Sequence, residues 1–109
     1  MTVQMISVAR DFTRTPGPRY IWQGKWSGEQ FRKRLQEAFR RHDKVIVDLD
    51  GTRGYGSSFL DEAFGGLIRE GILPEAQIFR RLEIRSTQDP TYKVEAEQAI
   101  RRARPVKAA

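Results

Sequence analysis

The residues of this 109-residue chain best placed to do chemistry lie in one stretch, Val45 to Leu67, reading VIVDLDGTRGYGSSFLDEAFGGL. Ser57 and Ser58 are adjacent hydroxyls between a loop holding Gly51, Gly54 and Gly56 and an apolar pattern of helical period, Leu60, Ala63, Phe64, Leu67 and Ile68. A serine so placed has two uses. Its oxygen can accept a hydrogen bond from an early helical N–H, and Ser58 with Asp61 three places on fits a capping box. It can also carry phosphate, because free first-turn N–H groups and the helix dipole favour negative charge there by on the order of 1 kcal/mol. Arg53 would add a charge-assisted contact. Asp61 and Glu62 read as first-turn carboxylates complementing the dipole, in preference to catalytic acids. Asp50-Gly51 reads as a turn with Asp50 bonding its own backbone.

These residues need a strand before them and a helix after. The apolar run Val45, Ile46, Val47 and Leu49 predicts a central strand buried on both faces. The loop then stands at the carboxyl end of a strand and the amino end of a helix, where open α/β sheets usually bind ligands. Upstream, Val3 to Val8 alternates as a first strand, Thr15-Pro16-Gly17-Pro18 interrupts regular structure, and Arg19 to Gln23 predicts a second strand forming a hairpin with the first. Ser27 with Gln30 caps a helix whose apolar face is Phe31, Leu35, Ala38 and Phe39 and which ends near His42. After the central helix, Glu70-Gly71 is a stop before Pro74, Arg81 to Arg85 a short strand, and Asp89-Pro90 the start of a last helix running to Pro105. The expectation is one small α/β domain over 1–109, ordered β-β-α-β-α-β-α around a mixed sheet of about four strands, with residues 105–109 frayed.

The chain is long enough to bury roughly 65% of its unfolded surface without a staple. It has no cysteine, which removes thiol catalysis, thiolate metal sites and disulfides, and suits a reducing cytoplasm. No apolar run approaches the roughly 18 residues of a membrane span, so a soluble cytoplasmic protein, monomer or homodimer through the exposed first strand, is expected. The net charge of +6 points to acidic protein partners or nucleic acid.

The element order, with Asp48-Leu49-Asp50-Gly51 running into Ser57-Ser58-Phe59-Leu60-Asp61-Glu62-Ala63-Phe64-Gly65-Gly66-Leu67, resembles the STAS domains of sulfate transporters and anti-sigma factor antagonists. It resembles more closely a bacterial STAS-like family of unknown function. The resemblance implies a non-enzymatic regulatory module without a cofactor. Its partner would be a histidine-kinase-like ATPase or kinase, and Ser58, with Ser57, would be the phosphorylated switch. Arg53, Gly54, Tyr55, Gly56, Phe59, Asp61 and Glu62 would form the contact surface, so that Phe59→Ala would weaken a complex and spare the fold. Gly56 and Phe59 depart from the antagonist pattern, which has an acidic residue before the serines and a glycine after them.

VIVDLDGT also resembles the first motif of haloacid-dehalogenase-like phosphatases, which would make Asp48 a nucleophile, Asp50 the acid and base, and Mg²⁺ their partner. The later lysine and acidic pair of that family have no counterpart, Asp89 alone lying near the next strand. Gly54-x-Gly56 lacks the lysine and spacing of a P-loop. His42, the sole histidine, leaves no partner for triad or histidine-rich metal chemistry. The stronger rival is nucleic-acid binding: Arg32, Lys33, Arg34, Arg40 and Arg41 on one helix, Arg80, Arg81 and Arg85 near a strand, and Arg101, Arg102, Arg104 and Lys107 at the end would hold phosphates while Tyr20, Trp22 and Trp26 stack bases, although glutamates interleave with the arginines and no recognised motif is present.

Overall fold

The computed structural model describes residues 1–106, so the expected tail lies, from Lys107 on, outside the described residues. Three strands, β1 (Val3–Ser7), β2 (Lys44–Asp48) and β3 (Leu82–Arg85), form a parallel sheet in the order β1-β2-β3. The helices are α1 (Gly28–Arg41), α2 (Ser57–Leu60), α3 (Gly66–Arg69), α4 (Glu75–Arg81) and α5 (Pro90–Arg102). Between α2 and α3 the chain does not break. A π-helical turn over Asp61–Gly65 joins them into one continuous rod. Among the described residues no helix is long and apolar enough to cross a membrane.

The α/β architecture is the one the sequence implies, with three strands instead of about four. The missing strand is Arg19 to Gln23. Its backbone is satisfied locally instead: the Tyr20 N–H donates to Gln23 Oε1 (2.9 Å), the Gln23 N–H donates to the Tyr20 carbonyl (3.0 Å), and Ile21–Gln23 is a single 3-10 turn. Without a hairpin, β1 reaches β2 through α1, a crossover that makes the two parallel (Val3↔Lys44 to Ser7↔Asp48). β3 joins the other edge of β2, with Val45 opposite Leu82.

Both crossovers step the same way along the sheet. Right-handed connections therefore put their helices on the same face. On that face Ile6, Val45, Val47, Leu49, Leu82 and Ile84 are buried. On the other, Val3 and Met5 are half exposed, Ile46 is partly so, and Glu83 pairs with Lys44 (3.3 Å) and Arg85 (2.6 Å). This corrects the reading of β2 as covered on both sides. It is the middle strand, but only one face is covered.

The core lies between that face and the helices. α1 begins as expected, with Ser27 accepting from the Gln30 N–H (3.0 Å), and buries Phe31, Leu35, Ala38 and Phe39. The α2–α3 rod is buried on most of its circumference, every residue from Phe59 to Ile68 except Asp61 being buried, so it is a central element and not the one-striped helix its pattern implies. Glycines on the rod and on α1 allow this close approach. A Cβ on Gly66 would stand 2.8 Å from Arg32 Cδ, and one on Gly28 would stand 2.5 Å from the Phe59 carbonyl oxygen. α5 closes the other side with Ala96, Ala99 and Ile100, capped by Asp89 (3.1 Å to the Thr91 N–H).

Candidate functional site

The glycine-rich loop leaves β2 at Asp48 and is fixed by its own aspartates. Asp48 Oδ1 accepts from the Asp50 N–H (2.9 Å), while Asp50 Oδ1 accepts from the N–H groups of Thr87 (2.9 Å) and Gln88 (3.0 Å) beyond β3. Gln88 Oε1 returns the tie by accepting from Gly51 (2.8 Å). Asp50 therefore joins two loops across the sheet end and does not bond its own backbone. Both carboxylates of D-x-D-G-T are structural acceptors, and among the described residues no group of three or more His, Cys, Asp or Glu is placed to hold a metal. The geometry does not support the phosphatase reading.

Gly51 (φ 91°) and Gly54 (φ 124°) occupy the left-handed region, which favours glycine. The Arg53 N–H donates to the Arg14 carbonyl (2.8 Å), which ties the loop to the segment after β1 and leaves the Arg53 side chain exposed. Tyr55 turns inward, its hydroxyl donating to the Leu49 carbonyl (2.8 Å), and burial pushes its phenol above the ordinary range, so it stays neutral. A cavity of ≈ 200 Å³ opens beside the loop, lined by Thr52, Arg53, Gly54, Gln88 and Tyr92 among others. It is smaller than the roughly 300–1,000 Å³ of usual small-molecule sites.

The helix begins two residues earlier than the Ser58–Asp61 capping pattern implies. Gly56 is the N-cap, without a side-chain cap, so Ser57 and Ser58 occupy the first two helical positions. Both are exposed, and among the described residues neither hydroxyl makes a hydrogen bond. The expected capping box fails because Asp61 is occupied elsewhere. It receives Arg19 (2.6 Å) and Arg69 (3.2 Å). Glu62 is buried beside it, paired with Arg32 and within reach of Arg19 (3.4 Å) and Arg69 (3.5 Å). Neither acid acts through the helix dipole. They fill a five-residue knot of ion pairs on the π turn, a type of bulge often found at functional positions.

The residues assigned to the contact surface therefore divide. Arg53, Gly56, Ser57 and Ser58 stand on the surface, with Gly54 half-buried beside them. Phe59, Tyr55 and Glu62 do not. Phe59 is fully buried among Phe12, Phe31 and Tyr55, with ring centroids 6.5, 6.1 and 5.6 Å away. On the rival nucleic-acid surface, Arg40 and Arg41 sit at the end of α1, each paired with Glu37 (3.4 and 3.2 Å). Tyr20, Trp22 and Trp26 lie before its start, roughly 20 Å away at 1.5 Å per residue. The structure does not bring those two groups together.

The ion-pair knot sets a pH dependence. Burial alone would raise the Asp61 carboxyl, but hydrogen bonding from Arg19 and the charge of Arg69 outweigh it and hold the group below its ordinary value. A carboxylate depressed in the folded state contributes stability that is complete above its unfolded pKa and is lost as pH falls through the folded one. Urea unfolding should show stability declining below about pH 4. Asp61→Asn should flatten part of that decline, and an acid profile identical to wild type would place the loss at other carboxylates.

A family model described as a STAS-like domain of unknown function matches residues 27–92, from the cap of α1 to the first turn of α5. Comparison with curated proteins and with solved structures finds no match. The match spans more than half of the chain and includes β2, the loop, the serines and four of the five ion-pair residues, Arg19 lying outside it, so the chain belongs to the STAS-like domain family of unknown function.

Proposed function

We propose that this domain is a non-enzymatic regulatory module that binds a protein partner through the loop edge formed by Arg53, Gly56, Ser57 and Ser58. The observation that carries the reading is the state of the serines: two adjacent, exposed hydroxyls that make no hydrogen bond among the described residues, held at the start of a helix by a loop that its own aspartates pin in place. Serines that only capped the helix would be engaged with its N–H groups. Free ones are open to a partner or a kinase. Phosphate at this position faces the positive end of the rod, with Arg53 beside the loop. Membership in a STAS-like family supports the same reading, and a histidine-kinase-like ATPase or kinase is the partner class it favours.

Ser58→Asp should weaken a partner complex about tenfold or more, ~1.4 kcal/mol, while leaving the fold intact, because an exposed first-turn aspartate agrees with the helix dipole. The partner is obtained by nuclease-treated pull-down from bacterial lysate, with mass spectrometry of the bait for phosphate on Ser57 or Ser58. Wild-type affinity in Ser58→Asp, with unchanged circular dichroism, would remove the loop as the interface.

A further inference from the structure

The segment after β1 presents an aromatic surface that the core does not use. Trp22 is 80% exposed, and the Tyr20 ring lies nearly parallel to it (13°, centroids 6.2 Å apart), with Arg19 over the far ring at 5.9 Å. Trp26, 40% exposed, has its edge on Phe12 (5.3 Å). Large aromatics this exposed are unusual on a surface.

The segment carrying them is firmly built. Gly28 N–H donates to the Pro18 carbonyl (2.9 Å), Glu29 N–H to Arg19 (2.9 Å), Gly17 N–H to Trp26 (2.8 Å), and the Ile21 N–H donates to Glu29 Oε1 (3.0 Å). Trp26 itself is held at φ 60°, a left-handed backbone that a bulky residue adopts only when its surroundings enforce it. The rings are thus displayed in advance, and little order has to be gained on binding.

The charge around them is mostly positive. Residues 12–36 hold Arg14, Arg19, Lys25, Arg32, Lys33 and Arg34 against the single acid Glu29, giving +5 of the chain's +6. Arg19 and Arg32 are spent on Asp61 and Glu62. Arg14, Lys25 and Lys33 are exposed and, among the described residues, make no ion pair; Arg14 is joined to the equally unpaired Arg53 through its backbone. Lys33 lies one turn along α1 from Glu29, whose carboxylate accepts from the Ile21 N–H.

We propose that the Tyr20–Trp26 segment, flanked by Lys25, Lys33, Arg14 and Arg53, binds single-stranded nucleic acid, Trp22 stacking on a base and the cations holding adjacent phosphates. Flat, exposed, prearranged rings among unpaired positive charges are the combination that single strands require, since every base has a π face and every link a negative charge. A duplex has its bases already stacked and offers the rings nothing.

Trp22 and Trp26 are the only tryptophans, so intrinsic fluorescence reads the site directly. Titration of the full chain with oligo-dT or oligo-U in about 50 mM salt should quench the emission. Log affinity should fall with log salt at a slope of about −2 to −3, as expected for three or four neutralised phosphates. Trp22→Ala, followed by anisotropy of a labelled oligonucleotide, should weaken binding about tenfold, and Lys25→Glu with Lys33→Glu should do so at least as much. Arg40→Glu with Arg41→Glu, at the far end of α1, should change it far less. Trp22 is exposed enough that its removal spares the fold, which circular dichroism verifies. No binding at low salt, equal affinity in Trp22→Ala, tighter binding of duplex, or equal quenching by polyglutamate would each overturn the assignment, the last in favour of an acidic polypeptide.

Discussion

Phe59→Ala should remove about 3–5 kcal/mol of stability, most of what a domain with a typical 5–15 kcal/mol possesses. The side chain is completely buried and stacks at 28° on Phe31, which meets Phe64 (6.2 Å) and Phe12 (5.1 Å) in turn. Deleting the ring empties the point where α1, α2 and the segment after β1 converge, and neighbours of that size cannot collapse into the gap. Read as a surface residue, Phe59 would have changed binding and left the fold alone. Its place in the core predicts the reverse. Equilibrium urea unfolding decides the matter: a midpoint close to wild type would mean that the phenyl ring is not packed as described. Phe59→Leu should recover much of the loss, since it restores apolar volume.

Glu62→Ala should cost a comparable ~3–5 kcal/mol, through charge instead of volume. Glu62 and Arg32 are both buried, and Arg32 Nε already lacks a hydrogen-bond partner. Removing the carboxylate leaves a guanidinium among apolar neighbours with its main counter-charge gone. Arg19 and Arg69 would also lose their second acceptor, although Asp61 keeps them paired. Guanidinium chloride would screen these charges, so unfolding by urea at constant ionic strength is the appropriate measurement. The double replacement Glu62→Leu with Arg32→Met should be markedly less harmful than Glu62→Ala, because it removes both charges and keeps the volume. Equal destabilisation of the two variants would mean that packing at the π turn, not the uncompensated charge, sets the cost.

Signals that act within a few residues were legible in the sequence. The apolar run of β2, the Ser27 cap of α1, the Asp89-Pro90 start of α5 and the Leu60 to Ile68 pattern each declare a local structure, and together with the serine loop they carry the family resemblance. What failed depended on partners far along the chain. Arg19 to Gln23 has the aromatic and branched residues of a strand, but among the described residues no neighbouring strand is placed to receive it, and its backbone bonds go to its own turn and to Glu29 at the start of α1. The Ser58 and Asp61 spacing fits a capping box, yet Arg19 reaches Asp61 from 42 positions away and takes the carboxylate. Phe59, beside two exposed serines, shares their sequence neighbourhood but faces the opposite side of the helix. α4 escaped because two turns that bury only Ile78 have almost no periodicity to read. The π turn shifts the period for five residues, too few to stand out from an ordinary helix.

The strand order β1-β2-β3 has a kinetic meaning. Each strand pairs only with the one next to it along the chain, so no pairing has to wait for a distant segment to be threaded between two others. Forming the sheet requires two loop closures of about forty residues each, which places the fold among the intermediate topologies, slower than helical bundles and faster than β-sandwiches. β2 takes part in both closures. The chain can acquire either crossover first, but neither can form until the strand that leads into the serine loop is in place.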